Sequence, residues 1–318
     1  MPRPAAPLLL IGLLVASAAP TSAEDLAEPW PRRVLITNDN GLDDPKIVAL
    51  ARSFAPVAET WVVAPLEDRS GSTHYLSVTR AGQLRAQPRD LGAGVRAWAV
   101  DGFPADAVLL ALFGLMKDSP PDLVVSGING GPNLAHDWLG SGTIGAARIA
   151  AYLGVPAIAV SGLDDDIPGA VEAATRWVVD LAQSPAVRAL DSGQYLTVSM
   201  PRRAPSEILG VRVARRAGLQ VDVAFTAGEP AAGGGNQIWR IAVAPSASRP
   251  DPATDAGLYE AGYIVVVPMR ADEHDDALLR ELLEGGRVPE WTPGVKPVPR
   301  PPPRSRASSA GDTCGWSR

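Results

Sequence analysis

Four stretches hold most of the residues that can do chemistry. VLITNDNGLDD (34–44) runs from an apolar segment into Asn38, Asp39, Asn40 and Gly41, with Asp43 and Asp44 close behind. APLEDRSGSTH (64–74) does the same and delivers Asp68, Arg69, Ser70, Gly71 and His74. SGINGGPN (126–133) contributes Ser126, Asn129 and Asn133, and HDWLGSGT (136–143) leads straight into a helical pattern. Two readings stand side by side. Asn, Asp, Ser and Gly are ordinary turn residues. They are also oxygen donors, and oxygen donors without cysteine suit a hard cation such as Mg²⁺, Mn²⁺ or Ca²⁺ better than structural zinc.

The elements around these stretches favour convergence. Short apolar strands (33–38, 60–65, 122–127, 156–162, 195–200) alternate with helical patterns (45–56, 104–116, 141–154, 169–184). That rhythm predicts an α/β fold with a doubly wound, mostly parallel sheet. In such a sheet the loops after the strands share one edge, where ligands bind. Residues 78–99 read as extended pieces broken by Gly and Pro, consistent with a hairpin. After Pro201 the rhythm changes to an antiparallel extension, with a strand at 263–269 and a closing helix at 275–285. AAGGGN (231–236) reads as a flexible loop, since it neither follows a strand nor opens a helix as a phosphate loop does.

Composition narrows the class. The chain has 318 residues, 46% of them hydrophobic, and a formal net charge of −6. An acidic balance argues against a nucleic-acid coat, so no stable nucleic-acid complex is expected. Arg3, the apolar run 8–19 and the small residues at 21–23 read as a cleavable signal ending near Ala23. The mature protein is then expected to be exported, periplasmic in a Gram-negative source, and off the membrane once the signal is removed. The single cysteine, Cys314, forms no internal disulfide and lies in a tail too rich in Pro and Ser to pack. The expected division is a signal at 1–23, one catalytic domain at 24–291 and a disordered tail at 292–318.

The ordered motifs TNDNG, APLEDRSGSTH, GFPAD, PDLVVSGINGGPN and SGTIGAA resemble the SurE survival-protein family of metal-dependent nucleoside-monophosphate phosphatases. ATDAGLYEAGYIVVVPM (253–269) is similar to the closing strand region of that family. The resemblance implies a Rossmann-like phosphatase fold and a divalent cation, Mg²⁺ or Mn²⁺. The implied ligands are two adjacent Asp residues, a Ser and an Asn. Here they fall on Asp39, Asn40, Ser70 and Asn129, so one carboxylate is replaced by an amide. Asp43 or Asp44 stands near enough in sequence to supply the missing charge. Gly130 stands where family members often carry a basic residue, and LTVSMP (196–201) departs from the usual pattern of its region.

The mechanism expected is attack of water on a phosphomonoester, a nucleoside 5′- or 3′-monophosphate, with Asp39 and Asn40 at the metal. Ser141, Gly142 and Thr143 open a helix whose first N–H groups suit a phosphate. Their hydroxyls are expected to face substrate rather than metal, and His74 to assist proton transfer. The family also implies a homodimer or homotetramer. The alternative is an exported nucleotide- or phosphate-binding protein whose metal site has decayed at Asn40. A dinucleotide oxidoreductase is disfavoured, since TNDNGLDD lacks the Gly-x-Gly-x-x-Gly fingerprint.

Overall fold

The computed structural model describes residues 29–285, apart from 93, 164–165 and 231–236. The signal segment, the AAGGGN loop, the Pro-rich tail and Cys314 lie outside the described residues.

The first unit, up to Asp272, begins with β1 (Arg33–Thr37), α1 (Pro45–Phe54) and β2 (Glu59–Pro65). A helical turn, α2 (Val78–Ala81), precedes the hairpin β3 (Arg85–Asp90) and β4 (Arg96–Asp101). Then come α3 (Pro104–Leu110), continued by a wider turn at Ala111–Leu115, β5 (Leu123–Asn129), α4 (Gly142–Tyr152) and β6 (Ala157–Ser161). Next are α5 (Ala170–Ala182), α6 (Pro185–Arg188) and β7 (Gln194–Ser199). The last part of the unit holds β8 (Val211–Val213), β9 (Val221–Pro230), β10 (Gln237–Pro245), α7 (Asp255–Ala261) and β11 (Ile264–Arg270). The second unit contributes α8 (Asp276–Gly285), whose first turn is capped by the Asp275 carboxylate accepting from the backbone of Ala277 and Leu278.

The sheet has nine strands in the order β3-β4-β2-β1-β5-β6-β7-β11-β8. Its centre, β4 to β7, is parallel throughout. Strand β11 runs antiparallel against β7, and β8 runs parallel to β11. Alternation along β1 assigns the two faces. Val34 and Ile36 pack with α1 and α5, whereas Leu35 packs with α3 and α4. Both faces are covered, which is why the central strands are apolar at every position rather than every second one.

Two details differ from the sequence expectation. The hairpin starts at Arg85, and Val78–Ala81 is helical. The buried Asp106 carboxylate on α3 takes the N–H groups of Ser77 and Val78 and the Ser77 hydroxyl, which fixes that turn from a distance. The extension after Pro201 also divides: β11 and β8 extend the main sheet, while β9 and β10 form a separate antiparallel pair.

After β1 the chain turns towards β2 and β4; it then returns to place β5 on the other side of β1. The strand order therefore reverses between β1 and β5, and a crevice opens there at their carboxyl ends.

Candidate active site

A cleft of about 490 Å³ occupies this switch point. Its lining includes Asp39 from the loop after β1, Ser70 after β2, Asn129 at the end of β5, and Ser141 before α4. His136 and Asp137 line it as well.

The β1 loop is built on its first residue. Asn38 is fully buried and donates its amide to Gly41 O at 2.8 Å, closing the turn. Gly41 has φ 99°, and a side chain there would crowd the backbone of Glu67. Leu42 N–H then bonds Pro65 O, and Arg69 N–H bonds Asp39 O at 2.7 Å, so the first two loops hold each other. The two acids further on do other things. Asp44 caps α1 by accepting from Lys46 N–H and pairs with the Lys46 ammonium at 3.3 Å, and Asp43 is exposed.

Asp39 itself is 3% exposed. Its carboxylate accepts the Thr143 hydroxyl at 2.5 Å and is also bonded by the Thr143 backbone. Burial pushes its pKa above the ordinary carboxylate value, and the bonds from Thr143 oppose that rise. The start of α4 adds the positive end of a helix dipole beside the acid. Asn40 keeps a buried carbonyl oxygen, Oδ1, with no hydrogen-bond partner. A buried orphan acceptor is costly unless something donates to it or coordinates it.

Ser70 is set by Asp68. Its N–H and its hydroxyl both donate to Asp68 Oδ1, at 2.8 and 2.6 Å. Those two bonds hold the Asp68 carboxyl below its usual pKa. With its proton directed at Asp68, Ser70 Oγ presents lone pairs to the cleft. Asn129 donates its amide nitrogen to Gly131 O at 2.7 Å, which leaves Oδ1 as its ligating end. The strand register shifts between Ser126 and Asn129, and a side chain on Gly127 (φ 139°) would collide with Val160 O.

Helix α4 is close-packed against this site because it begins with small residues. A Cβ on Gly142 would lie 2.8 Å from both Asp39 Cβ and Ser72 Oγ. One on Gly145 would lie 2.0 Å from Thr73 O. Ser141 caps the helix, its hydroxyl accepting from Ile144 N–H at 3.1 Å.

Of the residues expected from sequence, Asp39, Ser70, Asn129 and Ser141 share the cleft. Asn40 and Gly142 adjoin lining residues in the chain and Thr143 follows Gly142, but none of the three is itself among the lining residues. His74 is not among them either; it is exposed and its Nδ1 lies 3.0 Å from the Thr73 hydroxyl. The structure adds His136, whose Nε2 is 3.4 Å from Asp137 Oδ1 and whose Nδ1 is buried without a partner. Nothing in the sequence separates this His from an ordinary loop residue.

The family model described as Survival protein SurE matches residues 34–222. The chain belongs to the SurE family. Its SurE relatives include the 5′-nucleotidase SurE of Roseobacter denitrificans, 38% identical over 252 residues, covering 76% of this chain and 94% of that protein. The 5′-nucleotidase SurE of Desulfatibacillum aliphaticivorans is 41% identical over 192 residues, covering 60% of this chain and 74% of that protein. The crystal structure of the SurE protein from Aquifex aeolicus superposes with a TM-score of 0.68 at 29% identity, covering 79% of this chain and 99% of that one. The SurE motifs named from sequence thus sit on a SurE fold, and the relatives' names support nucleotidase chemistry.

Proposed function

We propose that this protein is a divalent-metal-dependent phosphomonoesterase that hydrolyses nucleoside 5′- and 3′-monophosphates, with water as nucleophile. One observation carries the reading. Asp39, Ser70 and Asn129 reach one cleft from the carboxyl ends of three neighbouring strands, and the adjacent Asn40 holds a buried oxygen with no protein partner. One carboxylate with amide and hydroxyl oxygens is a donor set for a hard cation, Mg²⁺ or Mn²⁺. Asp39, Asn40, Ser70 and Asn129 would hold it. Such an ion supplies Lewis acidity and charge neutralisation towards a phosphoryl group.

The chain's own groups do the rest. Thr143 holds Asp39 in one orientation, and Asp68 does the same for Ser70. Ser141 and the start of α4 provide a dipole that favours the phosphate. His136, beside Asp137 in the cleft lining, would carry a proton. Release of phosphate from 5′- and 3′-nucleotides, with Mg²⁺, Mn²⁺, Ca²⁺ or EDTA, tests the proposal. Nucleotide binding without turnover under all metals would instead support a binding protein whose site has decayed at Asn40.

Export rests on the signal-like segment 1–23. Self-association is supported by β9 and β10. In their register Val223 faces Val243 and Phe225 faces Ile241, and all four are exposed.

A further inference from the structure

We propose that Asp255 and Arg216 are positioning residues for the reaction, clamping the turn that carries His136 and Asp137 into the cleft. The inference rests on the reading that this cleft hydrolyses phosphomonoesters. The turn, Ala135–Leu139, begins with a residue in an unfavourable conformation, since Ala135 has φ 46°. Non-glycine residues persist there only when their surroundings hold them. At Ala135 both backbone groups are held, and the holding groups come from far along the chain.

Asp255, at the start of α7, is 1% exposed. Its Oδ2 accepts the Ala135 N–H at 3.0 Å. Its Oδ1 accepts from Ala217 and Ala256, at 2.7 and 2.8 Å. Arg216 follows β8, and its side chain is largely buried. Its Nη1 points at the carbonyls of Asn133 and Ala135, at 3.5 and 3.4 Å, and lies 3.8 Å from Asp255 Oδ2. Its Nη2 donates to Thr197 on β7 at 3.1 Å, anchoring the guanidinium to the sheet. One buried acid therefore takes the N–H of Ala135, one buried base takes its carbonyl, and the two face each other. His136 is the next residue.

After the β9–β10 pair the chain returns to the main sheet. The segment that follows contributes no residue to the cleft lining, yet it sets the backbone of one cleft wall.

The test uses the full chain and 5′-AMP with Mn²⁺. Asp255→Asn keeps the shape of the side chain but removes its charge and one of its acceptor oxygens. Amide exchange in the peptide spanning 133–140 should become faster. Turnover should fall about ten- to a hundred-fold, the scale of a misplaced group, with the half-saturating Mn²⁺ moving less than about two-fold. In a His136→Ala/Asp137→Ala background, Asp255→Asn should cost nothing further, because it acts through those two residues. Losses that add in full across the two backgrounds, or unchanged exchange in the peptide, would overturn the clamp. If Asp255→Asn does not fold, Arg216→Lys takes the same measurements, since a lysine cannot span both carbonyls and Thr197. A wild-type protein with no turnover would sink the phosphatase reading alone, and exchange would still decide the clamp.

Discussion

The Thr143 hydroxyl donates to the Asp39 carboxylate at 2.5 Å, and both side chains are buried. This bond joins the first turn of α4 to the loop after β1, the two pieces of chain that a phosphate and a cation would need side by side. It also changes what Thr143 is for. The hydroxyl expected to face substrate is committed to the acid expected to bind metal.

Thr143→Val therefore tests the link between them. Valine keeps the branched shape and removes only the donor. A hydrogen bond to a charged group contributes about 1.5–3 kcal/mol, so metal-dependent turnover should fall by about ten- to a hundred-fold. The half-saturating metal concentration should rise, because an unrestrained Asp39 is a poorer ligand. A metal titration of both proteins, paired with phosphate inhibition, separates the roles. If only phosphate inhibition weakens, Thr143 belongs to the substrate.

Asp39→Asn is expected to remove metal-dependent activity and yet stabilise the metal-free protein at neutral pH. Burial raises the Asp39 pKa in the folded chain, so the folded state binds this proton more tightly than the unfolded state. An acid with a raised pKa destabilises the fold while ionised; the penalty is relieved as pH falls through the folded pKa towards the unfolded one. The melting temperature of the variant should exceed that of wild type at pH 7.5 in EDTA, and the gap should close on acidification. A gap that widens on acidification would show that the ionised acid is net stabilising.

His136→Ala should cost more than His74→Ala. His136 lines the cleft beside Asp137, whereas His74 is exposed and contacts Thr73. Removing a group that carries a proton in the reaction costs about 10²–10⁴-fold in turnover. Measured kcat for both variants decides it. A larger loss at His74 would return the proton-carrying role to that residue.

Much of this site could be read before the fold, and the reason is topological. Asp39, Ser70 and Asn129 follow adjacent parallel strands, and one rule places all such loops on one edge. Asp44, expected as a possible source of the missing charge, instead caps α1 and pairs with Lys46. His136 was not legible. The residue before it, Ala135, is bonded to Asp255, 120 residues further along the chain, and to Arg216. The helical turn at Val78 was hidden likewise, because Asp106 on α3 supplies its anchor. Residue types announce ligands when a periodic frame aims them. They do not when the aim comes from a buried partner far along the chain.

Gly145→Ala should disturb the cleft without touching it. A Cβ there would fall 2.0 Å from Thr73 O, so the loop carrying Ser70 has to move. Overpacking of a tight contact typically costs about 1–3 kcal/mol. Thermal melting should register the loss, and metal affinity should weaken with it. A variant as stable and as active as wild type would mean that the 68–74 loop slides over α4 easily.

Asn40→Asp gives the most specific test of the metal set. Asn40 follows the buried Asp39 in the chain, and its Oδ1 is buried with no hydrogen-bond partner, so a carboxylate in its place would set one oxygen out of reach of water next to an existing acid. Two consequences of opposite sign follow. Without metal, the second charge is poorly solvated and repels the first, so the melting temperature in EDTA should fall. With metal, the added charge should tighten the cation by ~1–2 kcal/mol, roughly ten-fold in binding, the scale of one charge at a screened dielectric. Asp44 is paired with Lys46, Asp43 is exposed, and neither is among the residues lining the cleft. Turnover need not rise, because a more neutralised ion is a weaker Lewis acid. Melting curves across a Mn²⁺ titration read both effects in one experiment: the variant should start below wild type and gain more from the metal. If the variant is destabilised in EDTA but gains no more from Mn²⁺ than wild type does, residue 40 is buried near Asp39 without being a ligand.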